Sequence, residues 1–296
     1  SGFLIRARPI NKKLDLYYKK YCFSTKSVRN EIVSKCTYTT RALTNGKVLS
    51  GVQIIVPPLP EQQAIATALS DIDGLINSLQ KLIDKKKKIK QGAMQELLTG
   101  KIRLEGFSGE WVEVRLGDIA EVTMGQSPDS RFYNTNNAGI PLVQGNADID
   151  NRKTIIRNYT LQITKQAKKG DIIMTVRAPV GYIGKASYDC CIGRGVCAIS
   201  CKNDYLYHYF VFIENTWSTL SKGSTFDSVN SKEVNELVIM GPPTVEEQTA
   251  IANIFSDMDS EIEALERKLN KYKDIKQGMM QELLTGRIRL LEEAVP

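Results

Sequence analysis

The residues able to do chemistry are few, and their spacing does not suit it. The chain of 296 residues holds a single histidine, His208, which leaves little general-base capacity near neutral pH. Gly184-Lys185-Ala186 lacks both the upstream glycine and the following Ser or Thr of a phosphate-binding loop. No GxGxxG opens a βαβ unit, so there is no sign of a dinucleotide fold, and no Asn-Pro-Pro-aromatic motif for adenine methylation is present. Glu266-Arg-Lys268 has the carboxylate–lysine look of a nuclease centre, but it falls on the polar side of a heptad pattern. Six cysteines (Cys22, Cys36, Cys190, Cys191, Cys197, Cys201) contain no CxxC. Cys190-Cys191 sit side by side in an apolar, strand-like run, so reduced thiols are expected and a zinc site is not. The expectation is a chain with no catalytic residue and no metal.

The elements that organise the chain say the same thing twice. Glu61–Leu104 recurs as Glu247–Leu290 without a gap, at a constant offset of 186. About 26 of 44 positions are identical, far beyond a short motif. Each copy reads as one long helix. The apolar positions Ile65, Leu69, Ile72, Ile76, Leu79 and Ile83 step by four and three, as do Ile251, Phe255, Met258, Ile262, Leu265 and Leu269. Such a repeat argues a coiled-coil seam (Leu69, Ile72, Ile76, Leu79, Ile83 against Phe255, Met258, Ile262, Leu265, Leu269) rather than a wide core-facing stripe. Pro60 suits a first helical turn, Thr244 and Glu247 have capping-box spacing, and Gly100 and Gly286 supply stops. A helix from Glu61 to Thr99 would be about 58 Å long, more than one DNA turn. Gly92 and Gly278 recur inside the helices, which suggests close helix approach, a kink, or plain inheritance through the duplication.

Composition is that of an ordinary globular chain, 42% hydrophobic and 25% charged. No apolar run approaches the roughly 18 residues of a membrane span and no signal peptide opens the chain, so a cytoplasmic protein with no membrane partner is expected. The net charge of +7 is uneven: residues 1–60 carry 11 basic and 2 acidic side chains, whereas the large globular segment is close to neutral. A basic face attracts polyanions, but charge alone does not establish nucleic-acid binding here. The run Lys85–Lys88 reads first as a solvated helix face.

Five segments follow. Residues 105–243 read as a mixed α/β domain, with strands at Trp111–Val114, Ile119–Thr123, Gly170–Val176, Gly195–Ile199 and Leu237–Met240, and helix at Leu206–Phe212 and Trp217–Leu220. Residues 1–58 repeat the last part of that domain faintly. Gly2–Ile5 parallels Gly195–Ala198, Leu14–Tyr18 parallels Leu206–Phe210, and Val52–Pro58 parallels Leu237–Pro243. So short a piece is unlike a self-sufficient core and should lean on something else. The helices take 59–104 and 244–290, and 291–296 is a tail. The fold class expected is α+β, with mixed α/β domains joined by two long helices in an antiparallel coiled coil.

In this order of domain, helix, domain, helix, the chain resembles the specificity (S) subunit of type I restriction–modification systems, with the first target-recognition domain truncated. The resemblance rests on Pro57-Pro-Leu-Pro-Glu-Gln62 and Pro242-Pro-Thr-Val-Glu-Glu-Gln248 at the helix entries. It rests also on Lys90-Gln-Gly…Leu97-Leu-Thr-Gly100 and Lys276-Gln-Gly…Leu283-Leu-Thr-Gly286 at the exits. Within the domain, Trp111…Leu116-Gly-Asp-Ile119, Gly125-Gln-Ser-Pro128, Gly139-Ile-Pro141, Gly170-Asp-Ile-Ile173, Arg177 and Arg194-Gly195 follow the family order. The resemblance implies a non-catalytic reader of double-stranded DNA, each recognition domain taking half of a split site. The paired helices would fix the spacer and dock methyltransferase (M) subunits. S-adenosylmethionine and ATP would sit only on partners, the M and restriction (R) subunits. A short first domain implies either a homodimer that restores two readers or recognition of one half-site. A coiled-coil scaffold whose globular segments bind protein is the alternative.

Base readout needs Arg, Lys, Asn or Gln side chains on loops or helices, and phosphate contact adds Ser, Thr and Tyr. The candidates fall in three clusters: Gln126, Ser127, Arg131 and Tyr133; Gln144, Asn146, Arg152, Lys153 and Arg157; Arg177, Arg194, Lys222, Ser224 and Thr225. In the N-terminal piece, Lys35, Thr37, Tyr38 and Arg41 fall near the equivalent of Lys222–Thr225. A solvated surface position is the competing reading for each.

Overall fold

The computed structural model describes residues 12–38, 42–214 and 228–291. Trp217–Leu220, Gly2–Ile5 and the candidates Arg41, Lys222, Ser224 and Thr225 lie outside these residues. Packing groups residues 1–86 with 261–296, and residues 87–260 together, as two compact units.

In the first unit, α1 (Lys19–Cys22) and α2 (Lys26–Ser34) precede a two-stranded β1 (Thr37–Tyr38) and β2 (Ala42–Leu43) and the short α3 (Gly46–Ser50). Thr25 caps α2 by accepting from the Val28 N–H, and Asn45 caps α3 by accepting from the Val48 N–H. This piece has little core of its own. Tyr18, Tyr21 and Cys22 are buried against Ile65, Ala66 and Leu69 and against Leu283 and Leu284, residues of the two long helices and their ends. The short segment therefore leans on the helices, as its size requires.

The long helices are α4 (Leu59–Leu97) and, at the end of the chain, α8 (Val245–Leu283). Each has 39 residues, about 58 Å at 1.5 Å per residue. Thr244 caps the second by accepting from the Glu247 N–H, and each chain turns beyond its helix at a glycine with φ +71°, Gly100 and Gly286. The pairings Asp73–Lys276 and Lys86–Glu261 run in opposite senses along the chain, so the helices are antiparallel. Leu79, Ile83, Ile262 and Leu269 form the seam with Ile76, Leu265 and Tyr272. That is the narrow seam the heptads predict, but only in the middle. Toward each end the stripe broadens: Ile65, Ala66 and Leu69, and Ile251, Ala252 and Phe255, are buried in domain cores. Leu69 and Phe255 thus do more than face a partner helix, and Met258 packs partly buried beside Phe255. Ile72 is also buried. Adjacent positions such as Ile65 and Ala66 become buried when a helix meets two neighbours instead of one. Close helix approach does not explain Gly92 and Gly278. A Cβ at either would meet nothing within 4 Å among the described residues.

In the second unit, β3 (Val112–Arg115) leads into α5 (Leu116–Ile119) and β4 (Glu121–Met124). Then come β5 (Tyr133–Asn134), β6 (Ile140–Val143), β7 (Ile149–Asp150), β8 (Lys153–Thr154), β9 (Asn158–Thr160) and β10 (Gln166–Ala167). The strands β11 (Ile172–Thr175), β12 (Ile183–Lys185), β13 (Cys190–Ile192) and β14 (Val196–Ser200) follow, then α6 (Tyr205–Ile213), α7 (Ser231–Asn235) and β15 (Val238–Gly241). A six-stranded sheet has the order β4-β14-β11-β12-β8-β7, a five-stranded one β10-β13-β6-β9-β5, and β15 pairs with β3. Strand alternation divides the core in two. Ile172, Met174, Cys197 and Ile199 face the helices, with Tyr205, Leu206, Phe210, Leu97 and Phe255. Ile173, Val196 and Ala198 face the other way, onto Val143, Cys190 and Ile192. Strands covered on both faces read in sequence as the unbroken apolar runs from which they were predicted.

Candidate nucleic-acid interface and the paired helices

Three stretches of chain meet where β4, β6 and β13 end and β14 begins. Gly125 N–H donates to Val196 O at 3.0 Å and Gln126 N–H to Ile192 O at 2.9 Å. Gly193 N–H donates to Val143 O at 2.8 Å, and Val176 N–H to Gly195 O at 2.9 Å. The approach is too close for side chains: a Cβ on Gly125 would lie 2.1 Å from Gly193 O, and one on Gly195 2.1 Å from Gln144 O. Gly125 is therefore required here by backbone contact. The Ser127 hydroxyl accepts from the Arg194 N–H at 3.1 Å. The buried Asp148 carboxylate accepts from the Gln144 N–H at 2.7 Å and the Gly145 N–H at 3.2 Å.

This junction collects candidates from all three sequence clusters. Gln126, Asn146, Arg177 and Arg194 are exposed around it, with Ser127 and Gln144 half-buried. Exposed amide and guanidinium groups on a rigid backbone are the equipment of base-edge and phosphate contact. Asp148 and Gly193 were not singled out in the sequence, yet both hold the site together. An acid four residues after Gln144, closing a turn onto its backbone, was the available signal.

The remaining candidates lie elsewhere or are engaged locally. The Tyr133 hydroxyl donates to Pro128 O at 3.0 Å. Arg131 lies over the Phe132 ring at 5.0 Å and pairs with Asp129 at 3.2 Å, 74% exposed. Arg152 donates to Ile183 O at 3.0 Å, pairs with Glu214 and covers the Tyr182 ring. Lys153 is exposed on β8, and Arg157 reaches Asp148 at 3.8 Å. Lys35 pairs with Glu31 at 2.8 Å and donates to Gly51 O.

Burial shifts several titratable side chains away from neutral pH. Burial, helped by Lys90, pulls the His208 imidazole down to about 3, and its Nδ1 has no hydrogen-bond partner among the described residues. Burial pushes the Cys190 and Cys197 thiols up to about 12. Among the described residues no cluster of His, Cys, Asp and Glu is arranged to hold a metal ion, and no helix is long and apolar enough to cross a membrane.

The paired helices carry the symmetry of the repeat in their charges. Arg103 forms a two-point pair with Glu247 at 2.7 and 2.6 Å, and Arg289 does the same with Glu61 at 2.6 and 2.5 Å. The four residues exchange under the repeat offset. Asp73–Lys276 at 2.6 Å and Lys90–Asp259 at 2.5 Å exchange in the same way.

The family model for the type I restriction modification DNA specificity domain matches residues 1–91 and 108–273, one segment per copy of the repeat. The chain is 32% identical over 306 residues to the putative type I restriction enzyme MjaX specificity subunit of Methanocaldococcus jannaschii, covering 97% of this chain and 71% of that protein. It is 22% identical over 321 residues to the MjaVIII specificity subunit of the same organism, covering 98% and 74%. The HsdS subunit from Thermoanaerobacter tengcongensis is similar at TM-score 0.52 and 25% identity, over 92% of this chain and 70% of that one. The S subunit of a type I restriction–modification system from M. genitalium shares the fold at TM-score 0.67 and 18% identity, over 92% and 73%. By its matched segments and its relatives, the chain belongs to the type I restriction–modification DNA specificity family.

Proposed function

We propose that this chain, as a specificity subunit, reads double-stranded DNA through the junction of Gln126, Ser127, Gln144, Asn146, Arg177 and Arg194. The convergence of these side chains on one glycine-tightened backbone junction carries the reading. Phosphate contact by Arg177 or Arg194 would position the domain, and the amides of Gln126, Gln144 and Asn146 would discriminate base edges. The helix pair acts as a spacer ruler and as the dock for M subunits, and R subunits join through the complex. Methylation, cleavage and the S-adenosylmethionine and ATP they need belong to those partners, in the cytoplasm. A basic first segment adds phosphate contact, and a second copy of the chain would supply a second full reader.

The test is duplex DNA binding by the chain together with its M subunit. Sequence-selective affinity that falls steeply with salt is expected. A scaffold that binds protein through its globular segments would show no sequence preference, and that result would displace this reading. The purified chain alone is expected neither to turn over S-adenosylmethionine nor to cut DNA.

A further inference from the structure

The chain that leaves β9 borders the polar junction and holds aliphatic side chains out in water. At the end of β13 the Gly193 N–H donates to Val143 O on one side, and on the other the Ile192 N–H donates to Lys165 O at 2.9 Å. Gln126 joins the two flanks: its N–H donates to Ile192 O, and its O accepts from the Thr164 hydroxyl. Ile163 and Leu161 stand just before that contact, 52% and 64% exposed.

Their backbone is anchored on both sides. Leu161 N–H donates to Phe132 O at 3.3 Å, and Gln162 N–H donates at 3.2 Å to the hydroxyl of the buried Thr160. Gln162, between the two aliphatic residues, turns its amide oxygen back to accept from the Asp129 N–H at 2.8 Å. Leu161 and Ile163 are therefore held outward by neighbours that are tied inward, and large apolar groups fixed in water beside a polar surface mark a contact. The surroundings favour a nucleic acid over a protein as the occupant. Residues 161–169 carry three lysines, Lys165, Lys168 and Lys169, all exposed, and no acid. Arg131 and Arg194 are exposed on the adjoining loops. Aliphatic side chains scattered among cations and amides match a polyanion, whereas the centre of a protein interface is poor in lysine. The apolar group that duplex DNA presents on a base edge is the thymine 5-methyl, in the major groove. Against a donor or acceptor of another base edge, an aliphatic side chain would leave that group unpaired.

We propose that Leu161 and Ile163 are specificity-determining residues that recognise thymine through its 5-methyl group in the major groove. This role rests on the neighbouring junction being the DNA reader, and it adds an apolar base contact to the polar ones. The Gln126 amide, on the same flank, suits the N6 and N7 of the adenine in such a pair, so one A·T pair is read at both edges.

The test uses the chain together with its M subunit and the duplex it selects from a random pool. Each dT of that duplex is replaced in turn by dU, which removes the methyl group and nothing else. At one or two positions the affinity of the unaltered complex should fall about fourfold, the worth of one buried methyl group. The double variant Leu161→Ala with Ile163→Ala should bind the dT and dU duplexes equally at those positions. Its slope of log affinity against log salt should stay unchanged, because no phosphate contact is lost. Both side chains are exposed, so the variant should fold, and the scan with the unaltered chain needs no variant at all. Selective binding with no effect of dU at any position would overturn the proposal, as would a folded double variant that keeps the effect. A double variant that loses M-subunit binding, in a complex indifferent to dU, would make the pair a protein contact and overturn it too. Binding with no sequence preference whatever would overturn the junction as reader, and the thymine contact with it.

Discussion

Glu247 and Arg103 meet in a two-point ion pair, at 2.7 and 2.6 Å, in which the carboxylate is 1% exposed. Glu61 and Arg289 repeat it with the carboxylate 2% exposed. Each acid lies in the first turn of a long helix, where the helix dipole favours negative charge, and each arginine lies just past the end of the other helix. One sequence motif, used in both roles, closes both ends of an antiparallel pair. Removing one partner strands a buried charge, whereas removing both does not. Arg103→Met alone should therefore lower the melting temperature more than Arg103→Met combined with Glu247→Leu. Equal or greater loss in the double variant, by thermal denaturation, would show that the pair contributes no more than surface charge.

Asp73 gives a pH dependence with a defined sign. Burial pushes its carboxyl up, but hydrogen bonds from Lys276, Lys20 and Tyr21 outweigh that and hold it at about 2, below its ordinary 3.8. A carboxyl depressed on folding stabilises the folded chain above its unfolded value and loses that contribution as pH falls toward its folded one. Asp73→Asn should thus be destabilising near neutral pH, with the gap closing between about pH 4 and pH 2. Denaturant titrations across that window check it, and a constant gap would contradict the assignment.

The two helix glycines separate stability from docking. With open space around both, Gly92→Ala and Gly278→Ala should each stabilise the isolated chain by roughly 0.5–1 kcal/mol. Chemical denaturation measures this. If the same variants then bind M subunits less well, the open faces are reserved for a partner; unchanged binding leaves inheritance through the duplication as their reason.

Periodicity made the helices legible, and apolar runs made β11 and β14 legible, because both signals are local. Their antiparallel sense was also readable, since two copies of one motif in one chain pair most simply that way. The broadening of the seam at Ile65–Leu69 and Ile251–Phe255 was not legible. The apolar spacing is the same whether a helix meets one neighbour or two. The junction at Gly125, Gly193 and Gly195 depends on contacts between strands far apart in sequence. So the polar residues could be nominated by type but not sorted by place. Arg152 and Arg194 look equivalent in sequence; Arg152 is engaged by Glu214 and Tyr182, while Arg194 stands exposed beside Ser127.

That sorting can be tested with DNA. If Arg194 contacts a phosphate, Arg194→Ala should weaken binding across all sequences and flatten the dependence of log affinity on log salt by about 0.9. If it reads a base, selectivity at one position should relax instead. Gln144→Ala should behave in the second way. Arg152→Ala should reduce stability before it alters either measure, because its partners are within the domain. Binding isotherms at several salt concentrations, on matched and substituted duplexes, distinguish these outcomes.

The contacts of α4 with α8 from Leu79 to Lys90 set the pairing register through Lys86–Glu261 and Lys90–Asp259. Four residues inserted after Gln95, inside α4, lie beyond those contacts, so the register should survive. The insertion lengthens the rod by roughly one turn, about 6 Å, which corresponds to about two base pairs along the duplex. The preferred spacer between half-sites should lengthen by one or two base pairs, read as a change in methylated sites in cells that carry the altered chain with its M subunit. Because Leu97 and Leu98 also pack in the core of residues 87–260, folding must be confirmed by melting first. A folded variant that methylates at the original spacing would mean that distance is set by something other than these helices.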